Sequence, residues 1–177
     1  VILIRISTIK GDSKISGYND GTWFSVDSFS FGVERDTKES AKVGTDDLTI
    51  GVGMLNACEF NKSTDVGTST LMQYSISGGP LSFAQIHFVQ TKQGGAVFPY
   101  LMLRLEPCFI KTWKISGGED GRPTEDVSLW YQRIALEYRS YSRNDAGQYQ
   151  YSAGYNSGWD QTINAPWSVE FRVPGGA

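Results

Sequence analysis

The chain has 177 residues, with 16 Lys and Arg against 19 Asp and Glu and a formal net charge of −3. That length fits one domain with a core of its own. No basic block offers the counterion-displacing surface that nucleic acid requires, and no apolar run approaches the roughly 20 residues of a membrane helix.

The opening VILIRI is too short for a signal peptide, and it lacks a basic flank and a small-residue cleavage site. Export would therefore use another route, or a leader that precedes this sequence. Aromatics at 13% and short runs of Val, Ile, Thr, Phe, Tyr and Trp favour strands. The expected class is mainly β.

Residues 1–10 read as a first strand, with Ile2, Ile4 and Ile6 on one face and Leu3 and Arg5 on the other. Gly11, Asp12 and Ser13 close it. Residues 22–32 alternate as a second strand, with Trp23, Ser25, Asp27, Phe29 and Phe31 against Phe24, Val26, Ser28 and Ser30. Residues 33–47 are charged and carry no apolar period. They suit either a solvated loop or a protruding arm that meets a partner.

Residues 48–60 read as a strand; Gly51 and Gly53 do not make a phosphate-binding fingerprint, because the third glycine and the helix pattern are missing. A short amphipathic helix over Leu71, Met72, Tyr74 and Ile76 begins near residues 64–67 and stops at Gly78, Gly79 and Pro80. Residues 81–92 and 97–105 are further strands, and Pro107 separates the second of these from a strand beginning at Cys108.

Residues 108–141 read as a strand, a polar turn and a long returning strand. After the turn, Val127, Leu129 and Tyr131 keep one phase, and Ile134, Leu136 and Tyr138 keep the other. That change predicts a β-bulge near Gln132 and Arg133, at a corner where a strand changes face; a strand buried on both sides gives the same pattern. The Tyr-, Gly- and Ser-rich residues 142–161 suit a linker or a surface hairpin with Tyr149, Tyr151 and Tyr155 half buried. WSVEFRV, residues 167–173, alternates without a break and predicts a final strand.

Chemistry is sparse. The single histidine, His87, has no nucleophile elbow beside it and reads as structural. Cys58 and Cys108 lack metal or redox spacing and read as buried thiols. Glu119, Asp120, Glu125 and Asp126 read as a solvated turn, since the ligand spacing of a calcium loop is absent. Asn61-Lys62-Ser63 matches a glycosylation pattern short enough to occur by chance. No catalytic residue, metal ligand or cofactor site is expected. Trp23, Trp113, Trp130 and Trp159 are of a type enriched at interfaces; Trp113 and Trp130 are expected in the core.

Five stretches resemble, in order, the haemolysin-coregulated proteins (Hcp), the tube proteins of type VI secretion systems. They are ILIRISTIKGDS, GTWFSVDSFSFGVE, DDLTIGVG with the short helix, GRPTEDVSLWYQRIALEY and AGYNSGWDQ. The resemblance covers about residues 2–162. It implies a compact two-sheet β-barrel with one helix and a ring of six copies around a channel. It further implies rings stacked into a tube, driven by a contractile sheath behind a spike, with effector proteins carried inside. A life in the bacterial cytoplasm followed by secretion through the type VI apparatus is implied as well.

By the same resemblance the loop after strand two reaches the neighbouring ring. Its candidate stacking residues are Glu34, Arg35, Asp36, Lys38, Glu39, Lys42 and Asp46. The chain departs from the family in a helix without a Ser-Pro start, in Gly-rich residues 79–96, and in residues 166–177. The last form an extension, expected as an added strand on a domain of residues 1–165. Two other readings remain: a tube protein of a related phage-like contractile system, and a carbohydrate-binding β-sandwich using exposed Trp and Tyr.

Overall fold

The computed structural model describes residues 1–35, 53–92, 95 and 97–174. Along the chain these form β1 (Ile2–Ile6), β2 (Trp23–Val26), β3 (Ser28–Ser30), β4 (Val33–Glu34), β5 (Met54–Leu55) and β6 (Cys58–Ser63). Helix α1 (Thr68–Ser77) comes next. Then come β7 (Ala84–Thr91), β8 (Val97–Ser116), β9 (Thr124–Arg143), β10 (Tyr149–Asp160) and β11 (Ala165–Pro166). Among the described residues there are two sheets. The larger runs β11-β10-β9-β8-β7-β1-β2, with β3 and β6 joined to it through β9, and β4 pairs with β5 apart from it.

Among the described residues the mainly β class with one helix is as expected, but the sheet is not closed into a barrel. The reason lies at Asp27. Up to Val26 the even residues Phe24 and Val26 face the main core; beyond Asp27 the odd residues Phe29 and Phe31 do. The chain steps there, so β2 pairs with β1 while β3 pairs with β6. The Asp27 amide, donating to the Asn61 carbonyl at 2.8 Å, spans the step.

The long strands β8 and β9 carry the fold. Pro107 does not separate two strands: β8 runs through it in unbroken register, with Glu106 opposite Arg133 and Cys108 opposite Tyr131. The expected bulge at Gln132 and Arg133 is likewise absent. The irregularity between β8 and β9 lies between Ile110 and Thr112. The corner itself is real, because β9 exchanges partners there: residues 124–129 pair with β6 and residues 133–143 with β10. Both β8 and β9 turn their apolar phase together at this point. Leu103, Leu105, Cys108 and Ile110 face the same core as Leu129, Tyr131 and Ile134.

The sheet is covered on both sides, which explains why β1 is buried on both faces. Ile4 and Ile6 join the main core, whereas Leu3 packs with Tyr18, Trp23 and Val89 under the loop of residues 7–22. Gly11 lets that loop approach β2, since a Cβ there would lie 2.0 Å from the Trp23 carbonyl oxygen. Helix α1 lies where expected, buries Leu71, and ends as Gly78 takes a left-handed φ of 66° and donates to the Tyr74 carbonyl.

Residues 167–173 form no ladder, despite their alternation. The Trp167 amide still bonds the Gly158 carbonyl at 3.0 Å. The chain then leaves β10 and crosses the outer face, where Phe171 buries against Met102 and Ala135. Burial of an aromatic ring stabilises by about 2 to 3 kcal/mol, more than the roughly 1 kcal/mol of each edge hydrogen bond forgone.

Candidate assembly surfaces

The arm predicted at residues 33–47 has a described stem. Val33 pairs with Leu55 and Glu34 with Met54, and the Asn56 amide closes onto the Gly32 carbonyl at 3.0 Å. Glu34 and Arg35 are therefore placed at the stem, exposed. Asp36, Lys38, Glu39, Lys42 and Asp46 lie outside the described residues. Beside the stem a cavity of about 550 Å³ is lined by Met54, Leu55, Lys111, Trp130 and Trp159. Trp130, expected in the core, is 40% exposed at its rim, and Met54 is 54% exposed. Trp113 does pack against the core.

The hairpin of β9 and β10 is the second surface. The Tyr- and Gly-rich segment is its outer strand, not a linker. Tyr155 and Tyr151 are exposed, at 64% and 56%. Tyr155 stands opposite Tyr138, which is also exposed. Among the described residues, Trp159 and Asp160 of β10 gain a second ladder partner in β11, and the Gly158 carbonyl accepts from the Trp167 amide.

Two buried polar clusters lie within the fold, centred on Lys62 and on His87. In the first, Lys62 and Glu125 face each other across β6 and β9, fully buried, with Nζ 2.6 Å from Oε2. Lys62 also reaches Asp65 at 2.9 Å. Glu125 accepts from the Thr68 hydroxyl at 2.8 Å and from the Trp113 indole at 2.7 Å. The Gly67 amide donates to Asp65. The cluster thus ties the start of α1 to the sheet. Glu125 is not the solvated turn carboxylate the sequence suggested. The signal was present: Glu125 continues the phase of Val127, Leu129 and Tyr131, and Lys62 that of Cys58 and Phe60. Asn61, of the glycosylation pattern, sits mid-strand and donates to Asp126 at 2.7 Å.

The second cluster centres on His87, fully buried beneath the loop of residues 7–22. Its Nδ1 lies 3.0 Å from the Tyr18 hydroxyl, and the Trp23 ring packs 4.6 Å away. Burial, with a smaller push from Arg139, lowers its pKa to about 3, so the ring is neutral. Cys58 and Cys108 are free and buried, and burial raises both thiols to about 12.

A family model described as "Type VI secretion system effector, Hcp" matches residues 3–138. No curated protein matches. Among solved structures, one described as a type six secretion system protein has a TM-score of 0.79 at 18% identity, covering 94% of this chain and 98% of that one. Hcp1 from Salmonella typhimurium has a TM-score of 0.67 at 20% identity, covering 94% and 97%. A type VI secretion system effector from Yersinia pestis has a TM-score of 0.66 at 14% identity, covering 90% and 99%. The likeness in structure shows the shared fold, the model match shows the family, and the chain belongs to the Hcp family of type VI secretion proteins as a subunit of the secretion tube.

Proposed function

We propose that six copies of this chain close into a ring, and that the rings stack into the inner tube of a type VI secretion system. The tube carries effector proteins, and a contractile sheath drives it out behind a spike. The family-model match over residues 3–138 supports this reading most directly. The role is structural, without catalysis. The chain is made in the bacterial cytoplasm and leaves through the apparatus itself. Residues 1–165 are the ring-forming body, and residues 166–177 are an extension whose described part crosses the outer face.

The test is size-exclusion chromatography with light scattering over a concentration series, with negative-stain imaging of the peak. The expected result is a mass near six chains and annular particles. A single-chain mass at every concentration, without annuli, would contradict a self-assembling ring.

Stacking is assigned to the arm whose stem is β4 and β5. Its candidate residues are Glu34, Arg35, Asp36, Lys38, Glu39, Lys42 and Asp46. Removing residues 38–43 is expected to abolish tubes and leave rings, because the stem pairing of Val33 with Leu55 does not depend on the tip. Electron microscopy distinguishes the two assemblies, and loss of the ring itself would overturn the assignment.

A further inference from the structure

We propose that the outer face of β1, β7 and β8 carries a binding site for a carboxylate borne on a small apolar group, with Arg5, Gln85 and Arg104 as its floor. All of its residues come from one chain, so the site does not rest on the ring reading above.

The floor follows from register. Arg5 of β1 stands opposite Gln85 of β7, and Gln85 stands opposite Arg104 of β8. Their neighbours Ile4, Ile6, Ile86, Leu103 and Leu105 face the main core, so the three polar side chains share the other face. Gln85 is 9% exposed, and among the described residues its side-chain amide has no hydrogen-bond partner. It lines two cavities, of about 560 and 340 Å³, which share Gln85, Arg104 and Arg172. Burying an amide without a partner is costly, and these cavities are where a partner can enter.

Cations converge on the same place. Phe83, just ahead of β7, lies under both guanidiniums, with Arg5 at 5.5 Å and Arg104 at 4.7 Å from the ring centre. Among the described residues Arg5 has no ion-pair partner. Asp20, which lines the larger cavity beside it, is held instead by the Thr22 amide and hydroxyl at 2.9 and 2.6 Å. Glu106 takes the Nε of Arg104 at 2.8 Å and leaves the two terminal nitrogens available. The tail adds Arg172, 3.8 Å from Glu170 and exposed at the rim of both cavities.

These charges select the ligand. The three guanidiniums are matched in number by Asp20, Glu106 and Glu170, so a second negative charge on the ligand would meet carboxylates with no cation left for it. A carboxylate brings one charge on two coplanar oxygens, which fits the fork of Arg5. The Gln85 NH2 group supplies a further donor. Trp23, Phe83, Val173 and Pro174 line the larger cavity as well, so the group behind the carboxylate is apolar. A small organic acid and the C-terminus of a polypeptide ending in an apolar residue share this chemistry.

Fluorine NMR of para-fluorophenylacetate, titrated with the full chain at pH 7, tests the site. A Kd of about 1 mM is expected for a ligand of this size. The uncharged para-fluorophenylacetamide is expected to bind about tenfold more weakly, and Arg5→Gln and Gln85→Leu each to weaken the acid about tenfold. The dianionic para-fluorophenyl phosphate is expected to bind no more tightly than the acid. Displacement of the probe by a peptide ending in phenylalanine, more effective as free acid than as amide and below the Kd of the probe, would identify a chain terminus as the source. Poorer displacement would identify a small organic acid. No binding, equal binding of acid and amide, or tighter binding of the phosphate would overturn the site. Should Arg5→Gln or Gln85→Leu fail to fold, Arg172→Gln decides. Its side chain is 85% exposed and carries none of the packing, and it is expected to weaken the acid about threefold. Unchanged affinity in every folded variant would likewise overturn the site.

Discussion

Replacing Lys62 with methionine is expected to lower the unfolding free energy by about 3 to 5 kcal/mol. For a chain of this length that is a fall in Tm of roughly 6 to 20 °C. Lys62 and Glu125 have no contact with water, so the loss of the ammonium leaves Glu125 and Asp65 as buried charges without a counterion. Two hydrogen bonds to Glu125, from Thr68 and Trp113, remain and do not offset a missing charge. The double variant Lys62→Met with Glu125→Gln is expected to recover at least half of the loss. Glutamine removes the charge and keeps one acceptor oxygen, for the Trp113 indole, while its NH2 group can donate to the Thr68 hydroxyl oxygen. Urea unfolding at pH 7 measures both. A loss under 1 kcal/mol in the single variant would show that the cluster contributes little and that α1 is held by the packing of Leu71 and Tyr74.

The second large effect is acid sensitivity from His87. Its folded pKa of about 3 lies below the ordinary 6.5 of the unfolded chain. The unfolded state therefore binds a proton that the folded state does not. The contribution is fully present above pH 6.5 and is lost as pH falls toward 3, at up to about 1.4 kcal/mol per unit. Carboxylates also titrate near pH 4, so the comparison with His87→Gln isolates the histidine. Between pH 7 and pH 5 the wild-type advantage over that variant is expected to shrink by about 2 kcal/mol. A constant difference across that range would mean that His87 binds protons equally in the folded and unfolded states. The site favours the neutral ring for two reasons: burial removes water, and Arg139 opposes a second cation at longer range.

These two clusters also mark how far the sequence could be read. The helix was legible because Gly78, Gly79 and Pro80 stop it and Leu71 repeats on one face. The buried ion pair was legible in principle, since both members keep the apolar phase of their strands. It was misread because four acidic residues crowd one turn, and Glu125 alone of them faces inward. The step at Asp27 left no trace, because alternation in TWFSVDSFSF continues while the face reverses beneath it.

Pro107 looked like a boundary because proline offers no amide to a ladder. Neither β7 nor β9 needs one there, as β7 ends opposite Leu105 and the β9 register carries on. The tail shows the opposite error. WSVEFRV has the period of a strand, yet Phe171 finds a better home on the sheet face than on the sheet edge. Of the candidate arm residues, Glu34 and Arg35 lie at the stem, as chain order requires. The paired Met54 and the exposed Trp130 beside it were not anticipated, because their place depends on which strands meet there.

The partner exchange along β9 has a consequence for how the protein is made. One strand of 20 residues supplies the pairing for β6, β8 and β10. A chain leaving the ribosome from its N-terminus can form β1 with β2, and α1 in part, but β6 has no full ladder until residue 129 has emerged. The ladders of β1 with β7 and of β6 with β9 join residues about 60 to 86 positions apart, and contacts of that range form slowly and late. During synthesis the apolar faces of β6, β7 and β8 wait uncovered, and exposed strands of that kind are prone to pair wrongly. The last long strand to appear is β10. A chain cut before residue 149 therefore lacks the outer hairpin strand altogether, and the ladder on β9 is filled only once residue 160 has emerged.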